Sequence, residues 1–515
     1  MVRRAGGSAG HAIRWIDTGR YCQRHPSAGD PGIWPLRPAG SRPYARKPGR
    51  TRNLGHSSDL TRATWSDDKM QCACPARYNG RMQSTNSDSP PSASCVVIGG
   101  GPAGLFAAVS VAERLAQADS SDTSKSVTVL EKGPRPGRKL LASGSGQCNI
   151  THEGSPEDFL EHYGSRGRFL KPALFSLSPA GLLSWFRERG VHFAIETNGK
   201  VFPASRRATE ILDVLLARAK DQGVDILMNC PVTRIDRDGP EFIVNVTGLN
   251  PDGAQSLVAQ TVILATGGRS YPRTGSEGDG YALAATLGHT IVLPRPALTP
   301  VKVRNHVLGR LAGLSFPSAR FAIRRNGRKL LEARGDLLIT HEGLSGPGIL
   351  DASRGMEPGD ILELEFGGKS EEAFRADLLA ELANTPVTLV RTALVALGLP
   401  RRMAESFIEL AGLQPGATCA NLRRESREAL VRLAAAFPLE IESLGGWDEA
   451  MATTGGVDTS EVFPKTMESR LVPGLYFAGE ILDIDGDTGG YNLQAAFSTA
   501  ALAGASAATR AGIRT

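Results

Sequence analysis

The feature that most constrains the fold of this 515-residue chain is a glycine-rich turn between a predicted strand and a predicted helix. Residues 95–98 are apolar and mostly β-branched, the turn carries Gly99, Gly101 and Gly104, and residues 105–115 have helical apolar spacing. This order is typical of a dinucleotide-binding βαβ unit. Gly99 would permit the tight turn, Gly101 would let the backbone approach a pyrophosphate, and Gly104 would let helix and strand pack closely.

The second predicted strand, residues 127–130, ends at an acidic residue, Glu131. In dinucleotide-binding folds a carboxylate at this position accepts hydrogen bonds from a ribose diol. Glu131 lies further from the glycines than the usual ~20 residues, and the polar insert 119–126 accounts for the extra length. Because its charge would repel a 2′-phosphate, the site favours FAD or NAD over NADP. The alternative interpretation is a surface glutamate that flanks a helix.

The C-terminal end returns to nucleotide-binding chemistry. A predicted strand over 474–477 leads to Gly479 and Glu480, and Gly489 and Gly490 precede a predicted helix over 495–503. A carboxylate after a strand can hold ribityl hydroxyls, and a helix N-terminus behind paired glycines stabilises negative charge on a reduced flavin. FAD, unlike NAD alone, requires these distant stretches to meet the first glycine turn. The sequence therefore predicts a flavin site built from both ends of the chain.

Composition excludes several classes of protein. A hydrophobic content of 41% with 22% charged residues is ordinary for a globular protein, and no apolar run approaches the ~18–20 residues of a membrane-spanning helix. Seven scattered cysteines predict a reducing compartment, with a cytoplasmic location. No second cysteine pair matches Cys72 and Cys74, so no metal site is predicted.

The net charge of +6 belongs to the N-terminal stretch. Residues 1–94 contain 15 Lys and Arg against 6 Asp and Glu, whereas the rest contains 44 against 47. Residues 1–93 show no hydrophobic period, and we interpret them as a disordered basic extension. Three origins are open: an organellar transit peptide, a basic interaction tail, or sequence upstream of a later start at Met70 or Met82. The last is favoured, because the many prolines suit a targeting helix poorly.

Residues 133–151 are rich in glycine and small residues and contain Arg138 and Lys139. No Gly-Lys-Ser/Thr is present, so this is not a Walker phosphate loop. We interpret it as a loop close against a ligand, in which Arg138 and Lys139 would neutralise a pyrophosphate. Further along, the pattern predicts a hairpin over 193–204 and a second apolar strand over 261–264 that ends in glycines.

Pro294, Pro296 and Pro300 mark a predicted domain boundary. Residues 301–366 alternate apolar and polar residues in short runs, which favours an antiparallel β-domain. Residues 371–435 have helical spacing. The middle of the chain is therefore predicted to be a separate β-structure followed by helices.

At these motifs the chain resembles the BaiN/RdsA-type family of NAD(P)/FAD-dependent flavoproteins, also called YhiN-like or aminoacetone oxidase-like. The resemblance runs from about residue 94 to 504. Besides the glycine turn, it covers residues 136–139 through 148–149, 266–268 with 271–272, 340–341 with 345–347, 454–457, 464–469 and 479–494. Members often carry Arg before the Cys-Asn pair, where this chain has Gln147.

The resemblance implies an α/β fold in which a discontinuous Rossmann-like FAD-binding domain is interrupted by a β-barrel-like domain that carries a helical subdomain. The domain boundaries predicted after the extension 1–93 are 94–293 for the first part of the FAD-binding domain, 294–368 for the β-domain, 369–436 for the helical insert, 437–450 for a return strand of the β-domain, and 451–515 for the last part of the FAD-binding domain. Activities attached to relatives are reduction of unsaturated bonds in steroid-like molecules, oxidation of a small amine, and formation of dihydrouridine in ribosomal RNA.

The predicted cofactor is FAD, with NADH or NADPH as a transient electron donor, since no second nicotinamide fingerprint is visible. The predicted cofactor-binding residues are mostly glycines, loop residues and strand ends: Gly99, Gly101, Pro102, Ala103, Gly104, Glu131, Lys132, Arg138, Lys139, Ser143, Gly146, Cys148, Asn149, Val232, Ala265, Thr266, Gly267, Gly268, Gly479, Glu480, Gly489, Gly490, Tyr491, Asn492 and Leu493.

Two residues are candidates for proton transfer. Cys148 is a candidate acid, or a redox partner if its pKa is lowered; the alternative is a small residue packed beneath the flavin. His341 is a candidate proton donor at the domain interface; the alternative is a turn histidine that caps its own loop. Tyr491 would either stack on the flavin ring or pack within the protein.

Three functions follow from this interpretation. The first is an NAD(P)H-driven reductase of an unsaturated C=C substrate, which includes uridine in ribosomal RNA. The second is a flavin oxidase of a small molecule, and the third a non-catalytic flavin-binding protein. A basic groove would favour RNA and an apolar pocket a small molecule. The basic residues that keep RNA open are Arg324, Arg325, Arg328, Lys329, Arg401, Arg402, Arg423 and Arg424.

Overall fold

A computed structural model describes residues 90–118, 126–248 and 256–512. Most of the predicted N-terminal extension, residues 1–89, lies outside the described residues. Up to residue 286, the described residues form nine strands and seven α-helices, in chain order β1 (Ser92–Ile98), α1 (Pro102–Ala118), β2 (Val127–Glu131), α2 (Arg138–Ala142), β3 (Thr151–His152), α3 (Pro156–Leu160), α4 (Gly167–Ser176), α5 (Pro179–Arg187), β4 (Phe193–Ile195), β5 (Lys200–Pro203), α6 (Ala208–Asp221), β6 (Asp225–Met228), β7 (Val232–Asp238), β8 (Glu241–Val246), β9 (Ser256–Leu264) and α7 (Asp279–Thr286).

The remaining elements follow in chain order. They are β10 (Ile291–Ala297), β11 (Val301–Val303), β12 (Ser315–Arg325), β13 (Arg328–Ile339), β14 (Gly343–Ser345), α8 (Pro347–Ala352), β15 (Ile361–Glu365), α9 (Glu371–Asn384), α10 (Val390–Ala396), α11 (Arg401–Leu410), α12 (Arg424–Ala435), β16 (Phe437–Leu444), β17 (Ala452–Val457), β18 (Leu475–Phe477) and α13 (Tyr491–Gly512).

The main sheet is built from both ends of the described chain. Strands β6, β2, β1 and β9 run parallel in that order. The second edge of β9 is shared: β8 pairs with it antiparallel over residues 256–259, and β18 pairs with it parallel over residues 262–264. The late strand β18 therefore completes a sheet that the first 264 residues begin, and the residues that follow β9 and β18 emerge at one edge.

Helix α13 packs along α1 on one face of this sheet. The two backbones approach closely because small residues line the contact. A Cβ on Gly504 would lie 2.7 Å from the carbonyl oxygen of Ala107 and from the Cβ of Ser110. The apolar strands and these helices form one hydrophobic core, in which β1 and β9 are almost completely buried.

The inserted segment forms a closed barrel in the strand order β11-β14-β13-β12-β15-β16. Helices α9 to α12 lie in the chain between β15 and β16, and they share one hydrophobic core with the barrel. Phe366 and Phe437 from the barrel side contact the ring of Phe407 from α11 at centroid distances of 6.0 and 5.8 Å. The helices therefore complete the barrel core. The predicted α/β class, with a discontinuous Rossmann-like sheet, an inserted barrel and helices carried by it, is confirmed.

The boundary prolines lie in a strand, and one local prediction was wrong. Pro294 and Pro296 lie inside β10, which among the described strands pairs only with β17, in a two-stranded ribbon with a register shift between Val292 and Arg295. Proline is tolerated there because an exposed strand edge needs no donated hydrogen bond. Residues 138–142, predicted as loop, form α2. None of the helices in the three described ranges is long and apolar enough to cross a bilayer.

Candidate functional site

The three glycines of the first turn have different surroundings. Gly99 has φ +108°, and a Cβ there would lie 2.5 Å from the carbonyl oxygen of Ala265. A Cβ on Gly104 would lie 1.8 Å from the carbonyl oxygen of Gly99. Beside Gly101, by contrast, no atom lies within 4 Å of where a Cβ would be. The turn requires Gly99, and the packing of α1 requires Gly104. Gly101 faces open space at the start of α1, where Pro102 and Ala103 follow.

Glu131 is held by the backbone on both of its oxygens. Its Oε2 accepts the N–H of Gly100 at 2.8 Å, and its Oε1 accepts the N–H of Gly133 at 2.7 Å. Each oxygen keeps a lone pair for a further donor. Glu131 is therefore fixed between the glycine turn and the end of β2, in the position from which a carboxylate receives ribose hydroxyls.

A cleft opens beside Glu131. Its cavity volume is about 50 Å³, and it is lined by apolar and polar residues: Ile98, Gly99, Leu130, Glu131, Lys132, Cys230, Val232, Thr266, Gly275, Asp279 and Leu283. The Thr266 hydroxyl is buried with no hydrogen-bond partner among the described residues. Lys132 bonds Glu277 at 2.8 Å and Asp279 at 2.6 Å. The cleft thus offers one fixed carboxylate and one unpaired buried hydroxyl.

Lys139 and Glu480, which are 341 residues apart in the chain, meet directly. The Lys139 Nζ donates to Glu480 Oε2 at 2.5 Å and to the Ser270 hydroxyl at 2.6 Å. Glu480 Oε1 accepts the Thr453 N–H at 2.8 Å and the Ser270 hydroxyl at 3.2 Å. Lys139 is thus paired with a carboxylate, and its predicted contact with a pyrophosphate stays a prediction. The guanidinium of Arg138 donates to the carbonyl of Arg273 at 2.8 Å.

Strand ends bring the remaining glycines against this cluster. Beyond Ala265, whose N–H donates to Ile98 O, Gly267 has φ +75°. A Cβ on Gly268 would lie 2.3 Å from the Thr453 hydroxyl. Gly479, with φ +75°, lies after β18, where a Cβ would be 2.8 Å from the Cβ of Ala103. The glycines after β9 and β18 therefore allow the two chain ends to close around the first turn.

The loop before β3 is tightly wound. Gly144, Ser145, Gly146 and Cys148 all have positive φ, between +56° and +86°, and the Ser143 hydroxyl donates to Leu140 O at 2.6 Å. Cys148 is completely buried, and this burial raises the pKa of its thiol to about 12, against a smaller opposite effect of the hydrogen bond to Ser143. A buried thiol of raised pKa stays protonated at neutral pH, which disfavours Cys148 as a redox partner and favours the alternative, a small packed residue; its role as an acid stays a prediction.

Asn149 follows Cys148 and presents an unpaired acceptor. Its Oδ1 is buried and has no hydrogen-bond partner among the described residues. An orphaned buried amide oxygen is costly unless a ligand supplies a donor. Two positions earlier, the guanidinium of Arg206 donates to the amide oxygen of Gln147 at 3.4 Å.

The N-terminus of α13 is preceded by Gly489 and Gly490, with φ +121° and +102°. A Cβ on Gly490 would lie 2.5 Å from the carbonyl of Thr151, so this position requires glycine. The Asn492 amide closes the preceding loop: its Oδ1 accepts the Gly486 N–H at 2.8 Å and its Nδ2 donates to Gly486 O at 2.9 Å. Leu493 is partly buried against the core. The side chain of Asn492 thus shapes the helix start.

Tyr491 is enclosed by four aromatic rings. His162 and His152 stack on it at centroid distances of 3.9 and 5.2 Å, and Phe159 and Tyr163 contact it edge-on. Only 4% of Tyr491 is exposed, and burial raises the pKa of its hydroxyl. Of the two sequence interpretations, this environment favours packing within the protein over stacking on a cofactor ring.

A series of hydrogen bonds that the sequence analysis did not predict connects Tyr491 with the inserted segment. The Tyr491 hydroxyl lies 2.9 Å from His162 Nε2, and His162 Nδ1 lies 2.8 Å from Asp487 Oδ2. The other oxygen of Asp487 accepts a hydrogen bond from Arg354, which lies in the turn after α8. Single histidines and aspartates without a motif spacing do not indicate a site in a sequence, so only the fold reveals this series of hydrogen bonds.

A second set of contacts joins the inserted segment to the loop before α13. Asp351 of α8 accepts the Thr488 N–H at 2.6 Å and its hydroxyl at 3.1 Å, and Arg354 bonds Asp485 at 3.3 Å. Burial, together with the nearby charge of Asp487, raises the pKa of Asp351 to about 7. The inserted segment is therefore bonded to the loop that leads into Gly489 and Gly490.

His341 lies apart from these clusters. It is an exposed residue in the turn between β13 and β14 of the barrel. Among the described residues, no hydrogen bond joins the His341 ring to the residues around Glu131, Lys139 or Tyr491. The turn is held instead by His306, whose Nε2 lies 3.0 Å from Thr340 O. Neither the proton-donor role nor the self-capping role predicted for His341 has a contact in support.

The residues present fit FAD. Open space beside Gly101 and the start of α1 suit a pyrophosphate, and Glu131 is fixed for a ribose. Thr266 and Asn149 each hold a buried oxygen without a partner in the described chain. Both ends of the chain meet at Lys139 and Glu480, as the flavin interpretation requires.

Comparison with known proteins agrees. Residues 93–506 match the family described as HI0933-like protein Rossmann domain. A 3-dehydro-bile acid delta(4,6)-reductase from Clostridium scindens is 33% identical over 427 residues, which cover 80% of this chain and 98% of the relative. A ribosomal RNA dihydrouridine synthase from Haemophilus influenzae is 32% identical over 409 residues, covering 79% and 96%. Its namesake from Escherichia coli is 30% identical over 409 residues, covering 79% and 95%. The chain therefore belongs to the HI0933-like family and is an FAD-dependent oxidoreductase.

Proposed function

We propose that this protein uses NADH or NADPH to reduce a conjugated C=C bond of its substrate through its bound FAD. One observation carries the proposal: relatives with unrelated substrates, each aligned over at least 95% of its own length, are named for the same chemistry. A delta(4,6)-reductase and a dihydrouridine synthase both saturate a C=C bond. The substrate candidates are accordingly a small conjugated molecule and uridine in ribosomal RNA.

The residues described above have distinct roles in this reaction. FAD, when bound, supplies the hydride transfer from the nicotinamide donor to the substrate carbon. Gly101 and the first N–H groups of α1 would bind the pyrophosphate, and Glu131 the ribose. Asn149 would accept a hydrogen bond through its unpaired Oδ1. The N-terminus of α13 behind Gly489 and Gly490 would stabilise developing negative charge.

The decisive experiment is an anaerobic visible spectrum of the purified full chain loaded with FAD, before and after addition of NADH or NADPH. We expect rapid bleaching of the flavin band by at least one donor, followed by recovery when a conjugated ketone is added. A flavin that stays oxidised would contradict the reductase and favour an oxidase or a non-catalytic role. Absence of any bound flavin after incubation with FAD would overturn the cofactor assignment.

A further inference from the structure

We infer that residues 273–279 form a strap over the cleft that retains the adenosine half of FAD, and that Lys132 fastens this strap instead of contacting the cofactor. The inference rests on the proposed function, because it takes the ribose of FAD to be bound by Glu131. It goes beyond that function by assigning residues that control the release of FAD. The strap begins at Arg273 and ends at Asp279, the first residue of α7.

Two basic side chains that follow β2 bond to the strap. The Nζ of Lys132 lies 2.8 Å from a carboxylate oxygen of Glu277 and 2.6 Å from one of Asp279. The guanidinium of Arg138, at the start of α2, donates to the carbonyl of Arg273 at 2.8 Å. Both ends of the strap are therefore tied to the segment after β2. The two cations, which the sequence places near the cofactor, find their partners in the strap.

The strap forms part of the wall of the cleft beside Glu131. Gly275 and Asp279 of the strap line this cleft together with Glu131 and Lys132. A nucleoside whose ribose is bonded to Glu131 would therefore lie beside the strap. The cavity volume of about 50 Å³ is enough for a few water molecules, whereas pockets that hold whole ligands measure roughly 300 Å³ or more. A part of the wall must therefore move outward before adenosine can enter or leave.

The strap is the part of the wall that is built to move. The other walls include β1 and β2, which are held in the main sheet, whereas no described strand pairs with the strap. Gly275 and Gly278 have φ of +100° and +88°, and glycines can absorb a change in backbone direction at low cost. Between them, the hydroxyl of the buried Ser276 donates to Gly268 O at 3.1 Å. This neutral hydrogen bond holds the middle of the closed strap.

The ion pairs of Lys132 suit a fastening that opens and closes. The side chains of Lys132, Glu277 and Asp279 are 24%, 64% and 44% exposed, so water can replace each contact as it breaks. Burial lowers the pKa of Lys132, but the hydrogen bonds to Asp279 and Glu277 outweigh it and raise the pKa overall. The cation therefore persists at neutral pH. Because exposed pairs are weak and are screened by salt, they should slow the release of FAD several-fold without blocking it.

The first test needs no cofactor. Hydrogen exchange of the full chain, followed by mass spectrometry of its peptides, reports how often the strap opens. In Lys132→Met we expect the amides of residues 273–279 to exchange at least ~3-fold faster than in the parent, and those of the barrel strands to stay unchanged. Lys302→Met is the matched control, because Lys302 is an exposed lysine of the barrel that pairs with Glu342. Unchanged exchange of the strap in Lys132→Met would overturn the fastening role.

The second test measures the release of FAD. The full chain is loaded with FAD and diluted, and the return of free flavin fluorescence gives the dissociation rate constant. Lys132→Met should release FAD at least ~3-fold faster than the parent. Raising the salt from ~0.05 to ~0.5 M should speed release from the parent more than from this variant, because salt screens the ion pairs that the variant lacks. Equal salt dependence of the two proteins would contradict the fastening.

Removing the carboxylates distinguishes the strap from a direct contact between Lys132 and FAD. Glu277→Gln with Asp279→Asn keeps Lys132 but breaks its ion pairs. If Lys132 acts through the strap, this double variant should release FAD as fast as Lys132→Met, and all three substitutions together should add nothing further. If only Lys132→Met is faster, Lys132 contacts FAD directly and the inference is wrong. A parent chain that binds no FAD would overturn the cofactor assignment and with it the retention of FAD, whereas the exchange test still decides whether Lys132 fastens the strap.

Discussion

At the residue scale, Gly101 and Gly104 lie three positions apart and separate binding from stability. Gly104→Ala would place a Cβ 1.8 Å from a backbone oxygen that cannot move aside, so we expect a loss of ~3 kcal/mol in the free energy of unfolding. Gly101→Ala meets no atom within 4 Å and should change this free energy by less than ~0.5 kcal/mol. If the open space beside Gly101 holds the pyrophosphate of FAD, the Kd of the Gly101→Ala variant for FAD should still rise at least ~10-fold.

Thermal unfolding and FAD titration of both variants measure the two effects. A Gly101→Ala protein that binds FAD like the parent would contradict the placement of the pyrophosphate. The sequence predicts the separate roles of these glycines, because the motif requires glycine for a tight turn, for a close helix and for an approaching ligand. It does not predict that Lys139 is neutralised by Glu480, since that pairing depends on the meeting of strand ends that are far apart in the chain.

Cys148 gives a second prediction at this scale. Because its thiol is buried and its pKa is raised to about 12, the native protein should resist alkylation of Cys148 at pH ~8.5, at which an unfolded thiol reacts readily. The thiol should also make stability depend on pH. Its contribution to the free energy of unfolding is complete below the unfolded pKa of ~8.5 and is lost as the pH rises toward 12.

Mass spectrometry of the Cys148 peptide from native and unfolded protein checks the labelling. Chemical unfolding across this alkaline range, compared with Cys148→Ala, checks the pH dependence, which should be shallower in the variant. Rapid labelling of native Cys148 would restore the interpretation of a reactive thiol.

At the scale of elements, the contact between α1 and α13 closes the discontinuous domain. Gly504→Ala would push a Cβ to 2.7 Å from Ala107 O and Ser110 Cβ, and we expect a loss of ~1–3 kcal/mol in the free energy of unfolding. Gly512→Ala, at the end of the same helix, meets nothing within 4 Å and is the matched control. Its effect should stay within ~0.5 kcal/mol. Chemical denaturation of both variants measures the difference, and equal values would show that the helices do not need this close approach.

Elements with strong periodicity could be predicted from the sequence, and elements with weak local signals could not. The strands β1, β2 and β18 lie close to their predicted ranges, because each is a buried apolar run. Helices α3 and α4 had no prediction, since both are short, Gly164 separates them, and α4 contains Pro172. The strand β10 was not predicted because it contains two prolines. Proline fits a strand only at an edge, and the edge position of β10 follows from its pairing with β17, which the sequence does not show.

At the scale of the whole molecule, Arg354 joins the inserted segment to the loop that leads into the predicted cofactor residues Gly489 and Gly490. Its side chain is 17% exposed and bonds both Asp485 and Asp487. Arg354→Met would leave these aspartates largely buried without a cation, which costs ~3–5 kcal/mol when a buried pair is broken. Because the same loop continues into Gly489 and Gly490, we also expect the Kd for FAD to rise at least ~5-fold.

The matched control is Arg401→Met. Arg401 belongs to the same inserted segment, but its side chain is 70% exposed and pairs with Glu405 one helical turn away. Such an exposed pair contributes ~0.5 kcal/mol or less, so both the stability and the FAD affinity of this variant should match those of the parent. Thermal unfolding with and without saturating FAD, together with FAD titration, measures both proteins. If Arg354→Met lowers stability but leaves FAD affinity unchanged, the inserted segment only stabilises the fold, whereas loss of both shows that it also holds the loop at the start of α13 in its binding conformation.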